Sequence, residues 1–443
     1  MKLKPPISNS THKFEFPKYH FEQLSNSLKV FYAERHDSSL FNLKVITKSG
    51  AFDDSEPGLT YFTAQMTTKG TKSKSQTKLA LELDNIGANL NAGTGWDSAY
   101  WNLVCLGEHS GRAVELLSDC IYNSIFPEKE IAILRNRITA DISQKKAEPS
   151  YLAKQAFFSA IYENSPYGNP ITGNENNLSQ ISKNLLFQRH IALLKDNDIS
   201  IIASASFNFN ELLNCINQNF NFKNNNYQKK KSNFIPPKTK TNLVRIAAKE
   251  DAGQTALRIG KITVGINHPD YIPLTLANTI FGAYFMSRLN ALIREKLGYT
   301  YGIHSFIDYR LKGSTFQIVS SVNKSSTSKS ISSIFKLMEK FSSQKVEKKE
   351  FDRAKQYSLG TFLRNTESSQ QVMSLLGIID LFKLKGDYYE QAYKKISSLT
   401  IDDIYEVQKK YFLPEKIVIA ASGDKDYLSK ELKNFGEISY FES

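Results

Sequence analysis

Residues 281–302, FGAYFMSRLNALIREKLGYTYG, set an arginine and a tyrosine at fixed separation across what reads as a helix end. Arg294 and Tyr301 are both hydrogen-bond donors, and the arginine is permanently charged, so together they could hold negative charge developing on a reacting group. The same residue types also serve structure. A cation near a helix C-terminus offsets the negative end of the helix dipole, and a tyrosine can be a core aromatic with its hydroxyl at the surface. The elements that position the pair can be read from the pattern. Phe285, Leu289, Leu292 and Ile293 recur at helical spacing, Gly298 falls where a left-handed cap belongs, and residues 299–306 are rich in β-branched and aromatic types. The expectation is a helix with Arg294 in its last turn, then a cap, then a strand carrying Tyr301.

SRLN followed by LIREKLGYTYG resembles the C-terminal half signature of the insulinase/pitrilysin-type zinc peptidases, the inverzincins, in a long and nearly ungapped match. The resemblance implies that Arg294 and Tyr301 face a zinc site on another domain, with the tyrosine hydroxyl helping to stabilise the tetrahedral intermediate. In that family the metal is held by HxxEH on an N-terminal helix. The matching stretch here, after Glu56 and Pro57, is GLTYFTAQMTTKGT, with Tyr61 and Gln65 at the histidine positions and Ala64 at the glutamate position. Zinc needs two imidazoles at i and i+4 on one helix face, with a carboxylate beside them as general base. A phenol and an amide keep the spacing without that chemistry, and Ala64 has no proton acceptor, a loss worth about two to four decades in rate. The family's third ligand, a glutamate, falls within PEKEIAILRNRITADISQKK at residues 127–146, where Asp141 is the nearest carboxylate. As a lone ligand it reads as a solvated helix-surface residue.

The remaining metal-ligating residues form no second pattern. Among the seven histidines the nearest pair, His12 and His20, is eight residues apart, too far to share one helix turn. Cys105, Cys120 and Cys215 form no CxxC and lie in apolar segments, as buried inert thiols do. No metal site is therefore expected in this chain. The net charge of +13 would attract nucleic acid, anionic membrane or acidic peptides, but no nucleic-acid motif accompanies the lysines, and a solvated basic surface explains them. No apolar run is long enough to span a bilayer, and the start, MKLKPPISNSTHKFEF, lacks a signal-peptide core. Cytoplasmic location is the expectation, with periplasmic as the alternative because many bacterial relatives of the resembled family are exported.

The chain repeats itself. DISIIASASFNF matches KIVIAASGDKDY with Ile199 and Ile417 218 residues apart, and PEKEIAILRNR matches EKKEFDRAKQY with Glu130 and Glu350 220 apart. Between the halves, residues 223–241 are polar and basic with a Pro-Pro pair, the composition of a linker. Residues 1–222 and 242–443 are thus read as two domains. Strand patterns at 41–47 and 256–264 and helical patterns at 77–86 and 112–121 predict an α+β fold. The resemblance sharpens this to two homologous domains, each a mostly antiparallel sheet covered by helices, the insulinase-like metallopeptidase fold. Family α subunits of processing peptidases carry a glycine-rich loop near residue 282, of which only Gly282 remains in FGAYF, so that loop's role is not expected here.

The resemblance implies a non-catalytic subunit of a heterodimeric zinc-dependent peptidase. Such a chain offers Arg294 and Tyr301 in trans to an HxxEH-bearing homologous partner that holds the zinc, while an extended peptide adds as a strand to a sheet edge. A peptide-binding or assembly subunit without catalytic contribution is the alternative. A peptidase acting alone fits Tyr61, Ala64 and Gln65 least well.

Overall fold

Two six-stranded sheets carry the chain. The computed structural model describes residues 14–25, 27–195, 198–220 and 242–442; the expected linker at 223–241 and the boundary at 222 lie outside them. The first sheet contains β1 (His20–Gln23), β2 (Lys29–Glu34), β3 (Leu40–Thr47), β4 (Asn89–Thr94), β5 (Ala99–Leu106) and β6 (Ile199–Ala205), in the order β1-β2-β6-β3-β5-β4. The second contains β7 (Leu243–Ala248), β8 (Gln254–Thr263), β9 (Thr300–Asp308), β10 (Ser314–Asn323), β11 (Val418–Gly423) and β12 (Glu437–Phe441), in the order β12-β7-β11-β8-β10-β9. Pairing is antiparallel except between β2 and β6, and between β7 and its neighbours β11 and β12. The predicted strands are β3 and β8, and the predicted helices are Gln76–Asn85 and Ser110–Tyr122.

Sequence repetition becomes structural repetition. β6 and β11 occupy the same place in their sheets, each followed by a short helix, Phe209–Asn219 or Lys425–Leu432. Both strands are buried at every residue, because both faces of each sheet are covered there, so their apolar runs do not alternate.

The second cover comes from the other half. Helix Pro149–Ile161 buries Leu152, Ala156 and Phe157 in one cluster with Ala247, Val418 and Ala420 of the second sheet. Reciprocally, helix Ser369–Leu381 buries Val372, Met373, Leu376 and Ile379 with Phe31, Ala33, Ile46 and Ile202 of the first sheet. Each half is therefore incomplete without its twin. Polar ties follow the same exchange: Lys48 pairs with Asp380 at 2.9 Å, and the Ser200 hydroxyl donates to the same carboxylate at 2.6 Å.

Candidate functional site

The predicted helix, read from Phe285 through Arg294, is broken near its start. A helix beginning at Tyr271 ends in a wide turn, Thr279–Ala283, and helical structure resumes through Asn290–Lys296. The SRLN residues make the break. The Ser287 backbone N–H donates to the Tyr284 carbonyl at 3.1 Å, and the buried Asn290 amide donates to the same carbonyl at 3.3 Å and to the Ser287 hydroxyl at 3.2 Å. Gly282 lies just before it, packed so closely on β9 that a Cβ would run into Ser305 Oγ and Leu289. Arg288 is held by Glu350 through two bonds of 2.8 and 2.7 Å, which makes it structural.

One consequence corrects the sequence reading of Phe285. Helical spacing places it in the core, yet it sits on the break and is 64% exposed. Its ring lies under the Arg294 guanidinium, 4.8 Å from the centroid, and Arg294 Nε also approaches Glu295 at 3.5 Å. Arg294 is in the last turn of Asn290–Lys296 as expected, and Gly298 adopts φ +63°, the left-handed cap.

Tyr301 follows three residues later on β9, the edge strand of the second sheet. It is 89% exposed, which rules out the core-aromatic role. A β-bulge is the cause. Thr300 pairs with Val322 and Ile303 with Ser320, so Tyr301 and Gly302 together oppose Ser321, and the extra residue re-aims the tyrosine outward. Hydroxyls pin the bulge: Thr300 donates to the Ser321 carbonyl at 2.6 Å and accepts from the Gly302 N–H at 3.1 Å, while Ser320 donates to the Gly302 carbonyl at 2.9 Å. The Tyr301 hydroxyl itself has no hydrogen-bond partner among the described residues. The structure thus brings a cation and an unengaged phenol to one short connection.

Helix Leu59–Met66 holds the residues aligned with the zinc motif. Asp54 fixes its start, accepting from the Thr60 N–H at 3.0 Å and facing Arg189 at 3.5 Å. Burial pushes the Asp54 carboxyl up to about 6, against the pull of Arg189 and the Thr60 bonds. Burial likewise raises the Tyr61 phenol, with Arg137 opposing. Gln65 is engaged at both ends of its amide: Nε2 donates to the Ala92 carbonyl of β4, and Oε1 accepts from Arg137 at 3.3 Å. Ala64 is fully buried in the core of the first sheet. A half-buried phenol, an occupied amide, a methyl and a guanidinium do not fit a zinc ion. Asp141 is exposed on helix Glu128–Lys146, and among the described residues no three His, Cys, Asp or Glu side chains are placed to share a metal. No helix among the described residues is long and apolar enough to cross a membrane.

Sequence reasoning missed the bulge, because it depends on the register of β10. It also missed Arg137, which a search for carboxylates along residues 127–146 passes over although it stands one turn before Asp141.

Comparison with known proteins places these features. Residues 29–175 match the family model described as insulinase (peptidase family M16), and residues 180–358 match that described as the peptidase M16 inactive domain. An uncharacterized zinc protease of Rickettsia felis is 30% identical over 291 residues, 65% of this chain and 69% of that protein. The mitochondrial-processing peptidase subunit beta of Homo sapiens is 30% identical over 226 residues, 51% of this chain and 46% of its own length. A solved peptidase M16 inactive domain from Pseudomonas fluorescens superposes with a TM-score of 0.84 at 22% identity, covering 92% of this chain and 98% of that one, a likeness of fold. Family matches to both halves, and a relative covered over two thirds of its length at 30% identity, establish that the chain belongs to the insulinase family of peptidases, M16.

Proposed function

We propose that the chain is the non-catalytic subunit of a heterodimeric zinc-dependent peptidase, supplying Arg294 and Tyr301 in trans to a homologous partner that carries HxxEH and the zinc. The observation that carries this reading is the presentation of Tyr301: 89% exposed, its hydroxyl unengaged, held outward by a pinned bulge just past Arg294. A side chain of that size left in water in the unbound chain suits a site completed by another surface. The misfit of Tyr61, Ala64 and Gln65 to zinc supports placing the metal elsewhere.

In the assembled site an extended peptide adds along an exposed strand edge, for which β4 and β9, each at one edge of its sheet, are the candidates. Tyr301 donates a hydrogen bond to the oxygen that gains negative charge during cleavage, and Arg294 fixes the substrate carbonyl or orients the phenol. The name of the human relative, a subunit of a processing peptidase, and that of the Rickettsia relative, a zinc protease, are consistent with this division of labour.

The test is reconstitution. The purified chain is mixed with a candidate HxxEH-bearing homologue and peptide cleavage is assayed for each protein and for the mixture. Cleavage only in the mixture is expected. Association without gain in cleavage would overturn the catalytic contribution and leave a binding or assembly subunit.

A further inference from the structure

The alternation of β3 places Phe41, Leu43 and Val45 in the core of the first sheet and Asn42, Lys44 and Ile46 on the opposite face. That face reads as solvent-facing in the sequence, but helix Ser369–Leu381 from the second half lies over it. Over Ile46 the helix packs apolar side chains. Nearer β4 it leaves a cavity of about 280 Å³, lined by Asn42, Lys44, Asn91, Tyr100, Asn102 and Ser374 among others. The size is below that of sites for drug-like ligands, about 300–1,000 Å³, and suits one polar side chain or chain terminus.

Every strand in its wall contributes a polar group at matched register: Lys44 opposes Asn102, and Asn102 opposes Asn91. Lys44 is the lone cation in this lining, and among the described residues it forms no ion pair or hydrogen bond, its one recorded partner being the Tyr100 ring 4.6 Å below Nζ. Burial lowers its proton affinity, with no carboxylate near enough to oppose the effect. Asn42 is an independent sign. Its residue is only 3% exposed, its side chain lines the cavity, and its amide has no partner among the described residues. An amide and an ammonium that face an open cavity with no protein partner leave their bonding capacity for whatever enters it. The second sheet gives the contrast. Arg258 pairs with Ala420 as Lys44 pairs with Ile202, but its guanidinium donates to Gln317 and lies over the Phe158 ring.

We propose that this cavity binds a carboxylate of an extended peptide, with Lys44 as the counter-charge and Asn42 and Asn102 as amide donors. The cavity reaches β4, an edge strand of the first sheet, through Asn91, so a peptide added along that edge would run beside it. This rests on the reading of the chain as a peptide-holding subunit, and it adds a preference for acidic peptides.

The test uses the full chain and fluorescence anisotropy with three labelled peptides of one sequence: internal Glu with an amidated C-terminus, internal Gln with an amidated C-terminus, and internal Gln with a free C-terminus. A carboxylate peptide should bind about tenfold tighter than the amidated Gln peptide, the Glu form if the source is a side chain and the free-terminus form if it is the chain end. Lys44→Met should abolish that advantage, and Asn42→Ala, which leaves the charge in place, should reduce it. Equal binding of all three peptides, or an advantage that survives Lys44→Met, overturns the proposal while leaving peptide holding intact. Binding of none of them overturns both.

Discussion

Lys48, just past the end of β3, and Asp380, on a helix 332 residues later, meet at 2.9 Å with both side chains less than a tenth exposed. The pair joins the first sheet to a helix of the second half, so its loss loosens the junction between repeats. Asp380→Ala leaves the Lys48 ammonium its contact with Asp198 at 2.7 Å and strips the Ser200 hydroxyl of this acceptor. Removing one member of a buried pair costs about 3–5 kcal/mol, and the surviving Asp198 contact places this case near the lower end. Urea unfolding of the variant should show that loss in a single transition. Two separated transitions would mean that the halves are independent.

Arg310 makes the matching connection from the second half into the first. Its guanidinium lies 4.5 Å from Trp96 and Phe158, 4.9 Å from Tyr162 and 5.0 Å from Tyr167, and it pairs with Asp308 at 2.8 Å. A planar, weakly hydrated cation stacks in such a cage where a compact ammonium does not. Arg310→Lys should therefore destabilise by about 2 kcal/mol or more although the charge is kept. Thermal or urea unfolding reads this directly; wild-type stability would show that charge alone is what the cage requires.

Periodicity carried the strands and the cap at Gly298, because each depends on residues close in sequence, while the repeat was legible as matching segments about 220 residues apart. The exchange of helices Pro149–Ile161 and Ser369–Leu381 was invisible, since an apolar helix face looks the same whichever sheet it covers. Phe285 misled for a related reason: its spacing is helical, but Ser287 and Asn290 break the helix around it through bonds to Tyr284. The pattern at 41–47 predicts a strand, but that its Asn42 and Lys44 face lies under a helix of the second half is not local information. At the site, the residue types of Arg294 and Tyr301 were legible, whereas the outward aim of Tyr301 lies in the pairing of β9 with β10.

Asp54 gives a pH dependence with a definite sign. Burial raises its folded-state value to about 6, above the ordinary carboxylate near 3.9 in the unfolded chain, so the folded state holds the proton more tightly. Its contribution to stability is full below about pH 4 and is lost as pH rises through 6, a change of roughly 2–3 kcal/mol. Asp54→Asn removes the titration while keeping an acceptor for the Thr60 N–H. Stability curves of wild type and variant between pH 4 and 7 should differ by that slope; parallel curves would mean that Asp54 does not titrate in this range.

Tyr301→Phe and Thr300→Val separate presenting the phenol from possessing it. The Tyr301 hydroxyl has no partner among the described residues and the side chain is 89% exposed, so its removal should leave the melting temperature unchanged. In the reconstituted peptidase the same change should lower turnover by about two to three decades, the usual loss for one donor to a developing oxyanion. Thr300→Val does the reverse. It deletes the bonds to the Ser321 carbonyl and the Gly302 N–H that hold the bulge, at about 1–2 kcal/mol of stability, but leaves the phenol in place. Turnover should then fall by a smaller factor, because a loosened bulge lets Tyr301 sample directions other than the productive one. Wild-type turnover from Tyr301→Phe would remove its catalytic role. A Thr300→Val variant that loses stability but cleaves at the wild-type rate would show that the bulge serves the sheet and not the site.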